Sequence, residues 1–250
     1  MNLWRLEWLR LLRTHRLLAI FGVYVFFGLT GPLTARYLAQ ILGRLGTNGV
    51  KVELPVPTPA DGINQFSGNA TQIGLLVIVL VAGSALAFDA RREMAVFVRT
   101  RVAHVRDIVL PAYLVTTAGA VAGFVAGALA AWYETAVLLG PVPAGRMVLG
   151  IGLGALFLAF AVAVVALAAA LVRSAVAAAG LTLAGLLALG VMGSLGAGPG
   201  RWLPTHLLSA LPGLVGGAAP SDYLAATGVT LLAGAAALTA ATWFTARREL

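Results

Sequence analysis

The sequence predicts an all-α membrane protein with six transmembrane helices. An N-terminal interfacial amphipathic helix precedes them, and a re-entrant segment precedes the last helix. Three observations carry this expectation. The 250 residues are 60% hydrophobic and only 10% charged, whereas an average soluble domain is roughly 25% charged; so few ionic groups cannot cover a soluble globule of this size. The mean hydropathy of +0.94 agrees. Seven long intervals are apolar and nearly free of Asp, Glu, Lys and Arg, and a hydrocarbon core of about 30 Å needs roughly 20 such residues per helix. The distribution of basic residues then selects six crossings from the seven intervals.

Met1–Arg16 is not a cleavable signal peptide, because it lacks a short apolar core ending in small residues. At about 100° per residue, Trp4, Trp8, Leu11 and Leu12 share one face, while Arg5, Arg13 and Arg16 cluster on another. Tryptophan at the headgroup level with arginine in water is the pattern of an interfacial helix. Trp4, Arg5 and Trp8 are its anchors, and membrane lipid is its partner.

The spans fall at about 17–35, 70–90, 108–133, 147–172, 174–197 and 223–246, in a single transmembrane domain covering 1–250. The stretch Arg36–Asn69, with Pro55, Pro57 and Pro59, reads as an external loop carrying a short helix at Tyr37–Leu45. The seventh interval, Trp202–Ser221, contains Pro204, Pro212, Pro220, Gly213, Gly216 and Gly217. That density of breakers suits short or re-entrant pieces, so 199–221 is assigned as re-entrant or external. With both termini inside, the cytoplasmic side holds 12 Lys/Arg and the outside 5, as the positive-inside rule requires. A seventh crossing would put Arg247 and Arg248 outside. The expected location is therefore the plasma membrane, multi-pass, with cytoplasmic termini.

Several chemistries have no footing in the sequence. No phosphate-binding GxxxxGK[ST] loop occurs, and the sole lysine, Lys51, sits in GVKVE. There is no HExxH or GxSxG, and His15, His104 and His206 lie far apart in sequence. No catalytic residue, metal site or cofactor is expected on this chain. The net charge of +8 is assigned to topology and anionic lipid, not to nucleic acid. The acidic residues fall near the membrane edges, whereas a proton- or ion-coupled carrier commonly needs an ionisable group at depth.

Two features go beyond topology. Gly119, Gly123 and Gly127 form a stripe in the third span, and Gly150 and Gly154 another in the fourth; they read either as packing or as surfaces on which helices slide. In the loop Phe88–Asp107, Val96, Phe97 and Val98 are ringed by Arg91, Arg92, Arg99, Arg101 and Arg106. An apolar knob ringed by arginine suits docking on a soluble partner; the alternative is a span extension that snorkels its arginines to headgroups. Trp132 and Tyr133 suit an outer aromatic belt.

The order of these features resembles the permease subunits of type-2 ABC transporters, the class that includes small bacterial drug and lipid exporters. The likeness covers nearly the whole chain: the amphipathic start NLWRLEWLRLLRTHR, six spans, and the charged loop DARREMAVFVRTRVAHVRD after the second. A broken apolar stretch before the last span and the tail ARREL complete it. The family loop often pairs an acid with Gly-Thr and a proline; here Asp89 or Glu93 supplies the acid, Gly-Thr is absent, and Arg101 stands near the proline position.

The resemblance implies a separate ATPase subunit, which holds ATP and magnesium and docks on the N-terminal helix and on Asp89, Glu93, Val96, Phe97, Val98, Arg99 and Arg101. It implies a second permease copy or paralogue, and a path lined by spans one, two and five for an amphiphilic small-molecule cargo. Tyr24, Phe27, Gln72 and Met192 are the candidate path residues, with plain packing as the alternative for Tyr24 and Phe27. The chain is then a transport subunit and not itself an enzyme. A carrier acting without an ATPase is the rival expectation.

Overall fold

The computed structural model describes residues 3–45, 56–87, 106–172, 174–194 and 199–247. Every regular element among them is helical, and six helices are long and apolar enough to cross a membrane.

The first element, α1 (Leu3–Arg13), ends where the Thr14 N–H and hydroxyl both donate to the Arg10 carbonyl, at 3.2 and 2.6 Å. His15 follows with φ of +57°, a left-handed conformation that turns the chain sharply into α2 (Arg16–Leu45). Trp4, Trp8 and Leu12 stay exposed, as does Arg5, whereas Leu11 is buried. Leu11 therefore leaves the face assigned to it and packs on the protein.

Helix α2 corrects one boundary. The helix expected at Tyr37–Leu45 exists, but as an unbroken continuation of the first span. Pro32 sits inside α2 without ending it, and no further breaker lies between Pro32 and Leu45 apart from Gly43. The second span also starts earlier than residue 70. Its far end is α3 (Pro59–Asn69), opened by Thr58, whose N–H and hydroxyl donate to the Asp61 carboxylate at 2.8 and 2.7 Å. Proline at the first helical position and an acid at the third are strong helix-start chemistry. A π-turn (Ala70–Gly74) joins α3 to α4 (Leu75–Leu86).

The remaining spans are α5 (Arg106–Leu138), α6 (Ala144–Leu171), α7 (Ala175–Ser194) and, last, α9 (Leu224–Arg247). Between α7 and α9 the chain is broken into short pieces: 3-10 turns at Pro199–Trp202, Pro204–Ser209 and Pro220–Tyr223, and one short helix, α8 (Ala210–Val215). Prolines at the starts of the 3-10 turns and inside α8 account for the interruptions. Leu207, Leu211 and Leu214 are buried. Leu211 packs on Gly150, six residues into α6, about 9 Å below that helix's start.

Helix α6 is the centre of the bundle. It touches α4, α5, α7, α8 and α9, and its buried side chains are concentrated in its second half, from Phe157 to Ala170. Its composition is almost wholly Ala, Val, Leu, Phe and Gly, as a helix surrounded by other helices requires. Helices α2, α7 and α9 are peripheral, with less than a third of each span buried within the chain. The α2–α5 pair is the most extensive contact and runs parallel: Ile20 meets Gly123, and Tyr24 meets Gly127. Contacts of Gly62 with Pro32, Thr135 and Leu139 gather the Pro32 level of α2, the end of α5 and the start of α3 at one face, here called the far face. The face carrying α1 and the α6–α7 turn is the terminal face.

Candidate functional site

A lateral groove of about 570 Å³ lies between the second and fifth spans. That volume is within the roughly 300–1,000 Å³ of small-molecule sites. Thr71, Gln72, Leu75 and Leu76 form one wall, and Leu183, Leu186, Leu187, Gly190 and Val191 of α7 the other. Phe157 of α6 is its floor. Thr205 and Leu208, from the 3-10 turn after α7, cover it at the far face.

The groove exists because α4 and α7 meet closely at one end only. Near the terminal face Gly83 lies against the Ala175 carbonyl and Ala179; a methyl group on Gly83 would stand 3.0 Å from that oxygen. Toward the far face the same two helices present leucines and Gln72 to the groove between them. The π-turn falls at this level. A π-turn takes about one residue more than an α-turn. The buried positions Ile63, Phe66 and Ala70 of the far half continue as Leu75, Ile78 and Ala82 of the near half, so the extra residue keeps one face of the span on the core.

Behind the groove is a second, smaller space of about 30 Å³. Tyr24, Ser67, Ala70, Phe124 and Gly154 line it, and Thr71, Leu75, Phe157 and Leu208 are common to both walls. Tyr24 is almost fully buried, its ring laid on Gly74 and edge-on to Phe124 at 5.7 Å between centroids. The Ser67 hydroxyl is buried and has no hydrogen-bond partner among the described residues.

The covering segment is held from two sides. Arg146, in the first turn of α6, donates from Nη1 to the Leu214 carbonyl at 3.3 Å. His206 stacks on Tyr223 with 4.9 Å between ring centroids, and the Tyr223 hydroxyl donates to the Ser209 carbonyl at 3.4 Å. Burial, with Arg201 adding to it, lowers the His206 pKa, while Asp222 opposes the shift.

The sequence-predicted path residues separate. Gln72 lies on the groove wall and Tyr24 on the chamber wall behind it. Phe27 packs half-buried against the core and against Phe26 at 5.2 Å, and lines neither space. Met192 is 59% exposed on α7, one position past Val191, and also lies off both walls. Asp89, Glu93, Val96, Phe97, Val98, Arg99 and Arg101 lie outside the described residues. Trp4, Arg5 and Trp8 project from α1 away from both spaces. Sequence reasoning missed Ser67, Thr71 and Phe157. The signal for the first two was available as a polar run, SGNATQ, within an apolar span.

No protein-family model matches the chain. Over 211 residues it is 23% identical to the uncharacterized transmembrane protein YxlG of Bacillus subtilis (strain 168), a match that covers 83% of this chain and 81% of that protein. The chain is thus a multi-pass membrane protein distantly related to another of closely similar extent.

Proposed function

We propose that the chain is the permease subunit of an ATP-driven exporter of the type-2 ABC class, carrying an amphiphilic or lipid-like compound or drug across the plasma membrane. The observation that supports this reading best is the groove between the second and fifth spans, pinched at the terminal face and open laterally. An amphiphile enters such a groove sideways from lipid and exchanges one apolar surrounding for another. Export then needs only that the groove bind cargo better in one state of the bundle than in the other.

The energy comes from a separate ATPase, which holds ATP and magnesium, docked on the cytoplasmic side against α1 and the loop around Val96, Phe97 and Val98. Nucleotide-driven closure of that partner tilts the spans, and the Gly83 pinch opens as the far end closes. A second permease copy or paralogue covers the exposed face of α2.

The test is purification of the tagged full chain from its own membranes. A soluble P-loop ATPase is expected to co-purify, with hydrolysis stimulated by amphiphiles. Phe97→Asp, which puts a charge into an apolar contact, is expected to break the complex, at a cost on the order of 2 kcal/mol or more. Val98→Cys should resist an impermeant external thiol reagent in intact cells. Cargo transport by the chain alone, driven by an ion gradient, would favour the coupled carrier and refute the ABC reading.

A further inference from the structure

Neither wall system contains a charged side chain. A cation or carboxylate entering the groove leaves water without a counter-charge. Polar atoms nevertheless gather at one level. Thr71 and Gln72 stand on the groove side of the π-turn, and Ser67 lies one turn earlier on the chamber wall.

The Ser67 hydroxyl is the unusual member. Other buried helical hydroxyls bond the carbonyl one turn back, as Thr182 does to Ala178 at 2.9 Å and Thr230 to Ala226 at 2.6 Å. Of the hydroxyls of Ser67, Thr117 and Thr135, which have no partner among the described residues, Ser67 alone borders the chamber. Ser67 is 8% exposed, and its hydroxyl makes no such bond. It borders a space of about 30 Å³, the size of a single hydroxyl- or water-sized group. Only side chains common to both walls, Leu75 and Leu208 among them, divide that space from the groove.

Resting on the reading of the groove as the cargo site, we propose that Ser67, Thr71 and Gln72 form a polar anchoring subsite that selects uncharged amphiphiles. The apolar body lies along Leu76, Leu183 and Leu187. A terminal alcohol or amide seats against the π-turn and bonds the Ser67 hydroxyl, which both donates and accepts. Quaternary ammonium compounds have no partner there.

The chain contains no cysteine among its 250 residues, so Leu187→Cys, at the 69% exposed groove edge, takes a single environment-sensitive fluorophore. The labelled full chain in lipid nanodiscs is titrated with 1-dodecanol, dodecane and dodecyltrimethylammonium. For each probe, the ratio of wild-type to variant affinity cancels partition into the bilayer. Ser67→Ala is expected to weaken dodecanol about 3- to 10-fold, the worth of one neutral hydrogen bond, and to leave dodecane unchanged. Gln72→Leu, at an exposed position that carries no folding risk, is expected to act in the same direction. Dodecyltrimethylammonium should bind more weakly than dodecanol. If both variants leave dodecanol unchanged, or if the ammonium compound binds as tightly, the subsite is refuted while the groove stands. If no probe alters the fluorescence, the groove is not a cargo site and both readings fall.

Discussion

Along the α2–α5 pair a glycine recurs at each turn of the contact, whereas the α4–α7 pair has one such contact, at Gly83, and then opens into a groove. A methyl group on Gly123 would meet Ile20 at 2.5 Å, and those on Gly127 and Gly28 would collide with the backbone of the opposite helix; one turn earlier a methyl group on Gly119 would meet Leu11 of α1 at 2.8 Å. In lipid there is no hydrophobic drive between helices, so close backbone approach and dispersion hold them. Where small residues repeat every four positions, two helices close along their length; where they occur once and leucines follow, the helices close at one end and leave a space. The same rule thus produces the most extensive helix–helix contact among the described residues and the groove between the second and fifth spans.

The sharpest way to break this comparison is to give the closed pair a side chain. Gly127→Leu places its bulk on the Tyr24 carbonyl at the centre of the crossing. The expected cost exceeds the usual overpacking range of about 1–3 kcal/mol, because backbone and not a flexible side chain must move. The variant should yield little monodisperse protein on size exclusion. Gly185→Leu on α7, where nothing stands within 4 Å, should change stability by no more than about 0.5 kcal/mol. Equal damage at both positions would mean that α7 is covered by a partner and is not an open wall.

A smaller effect is expected at the single contact of the open pair. Gly83→Val forces α4 from the Ala175 carbonyl and should cost about 1–3 kcal/mol, read as a lowered melting temperature. Because this is the pinch itself, the damage should be local. Ala178→Cys, fully buried in the parent, should become reactive to maleimide in the double variant, while the α2–α5 pair stays intact.

What was legible in the sequence follows from these forces. The six spans are visible because apolar length is a property of composition, and the glycine stripe because a four-residue period survives without coordinates. The Tyr37–Leu45 helix was visible as a helix, but its fusion to the first span was not: Arg36 reads as a membrane edge, yet an exposed arginine does not end a helix. Thr58-Pro59-Ala60-Asp61 is a readable start signal, overlooked because the loop prolines around it suggest irregular chain. The π-turn and the groove depend on which faces meet, and no local pattern specifies that. For the same reason Gln72 lands on the groove wall, while Phe27 and Met192 do not.

The smallest expected effect concerns the cover over the groove. The 3-10 turn that supplies Thr205 and Leu208 to the groove is fixed at its centre by His206 stacked on Tyr223. Burial and Arg201 lower the His206 pKa from its ordinary value, and the opposing pull of Asp222 is the smaller contribution. A histidine whose folded pKa lies below its unfolded value of about 6.5 favours the folded state when neutral. Its contribution is complete above the unfolded pKa and is lost as pH falls through the folded one. Acidification from pH 8 to pH 5 should therefore loosen the cover. The group is partly solvated, so the drop in melting temperature attributable to it should be on the order of 2 °C. His206→Gln, which keeps a polar planar group but does not titrate, should flatten that part of the pH profile, whereas Gly83→Val should lower the whole profile without changing its shape. A pH profile unaltered by His206→Gln would show that the stack does not hold the cover, and would leave the Arg146 bond to Leu214 as its anchor.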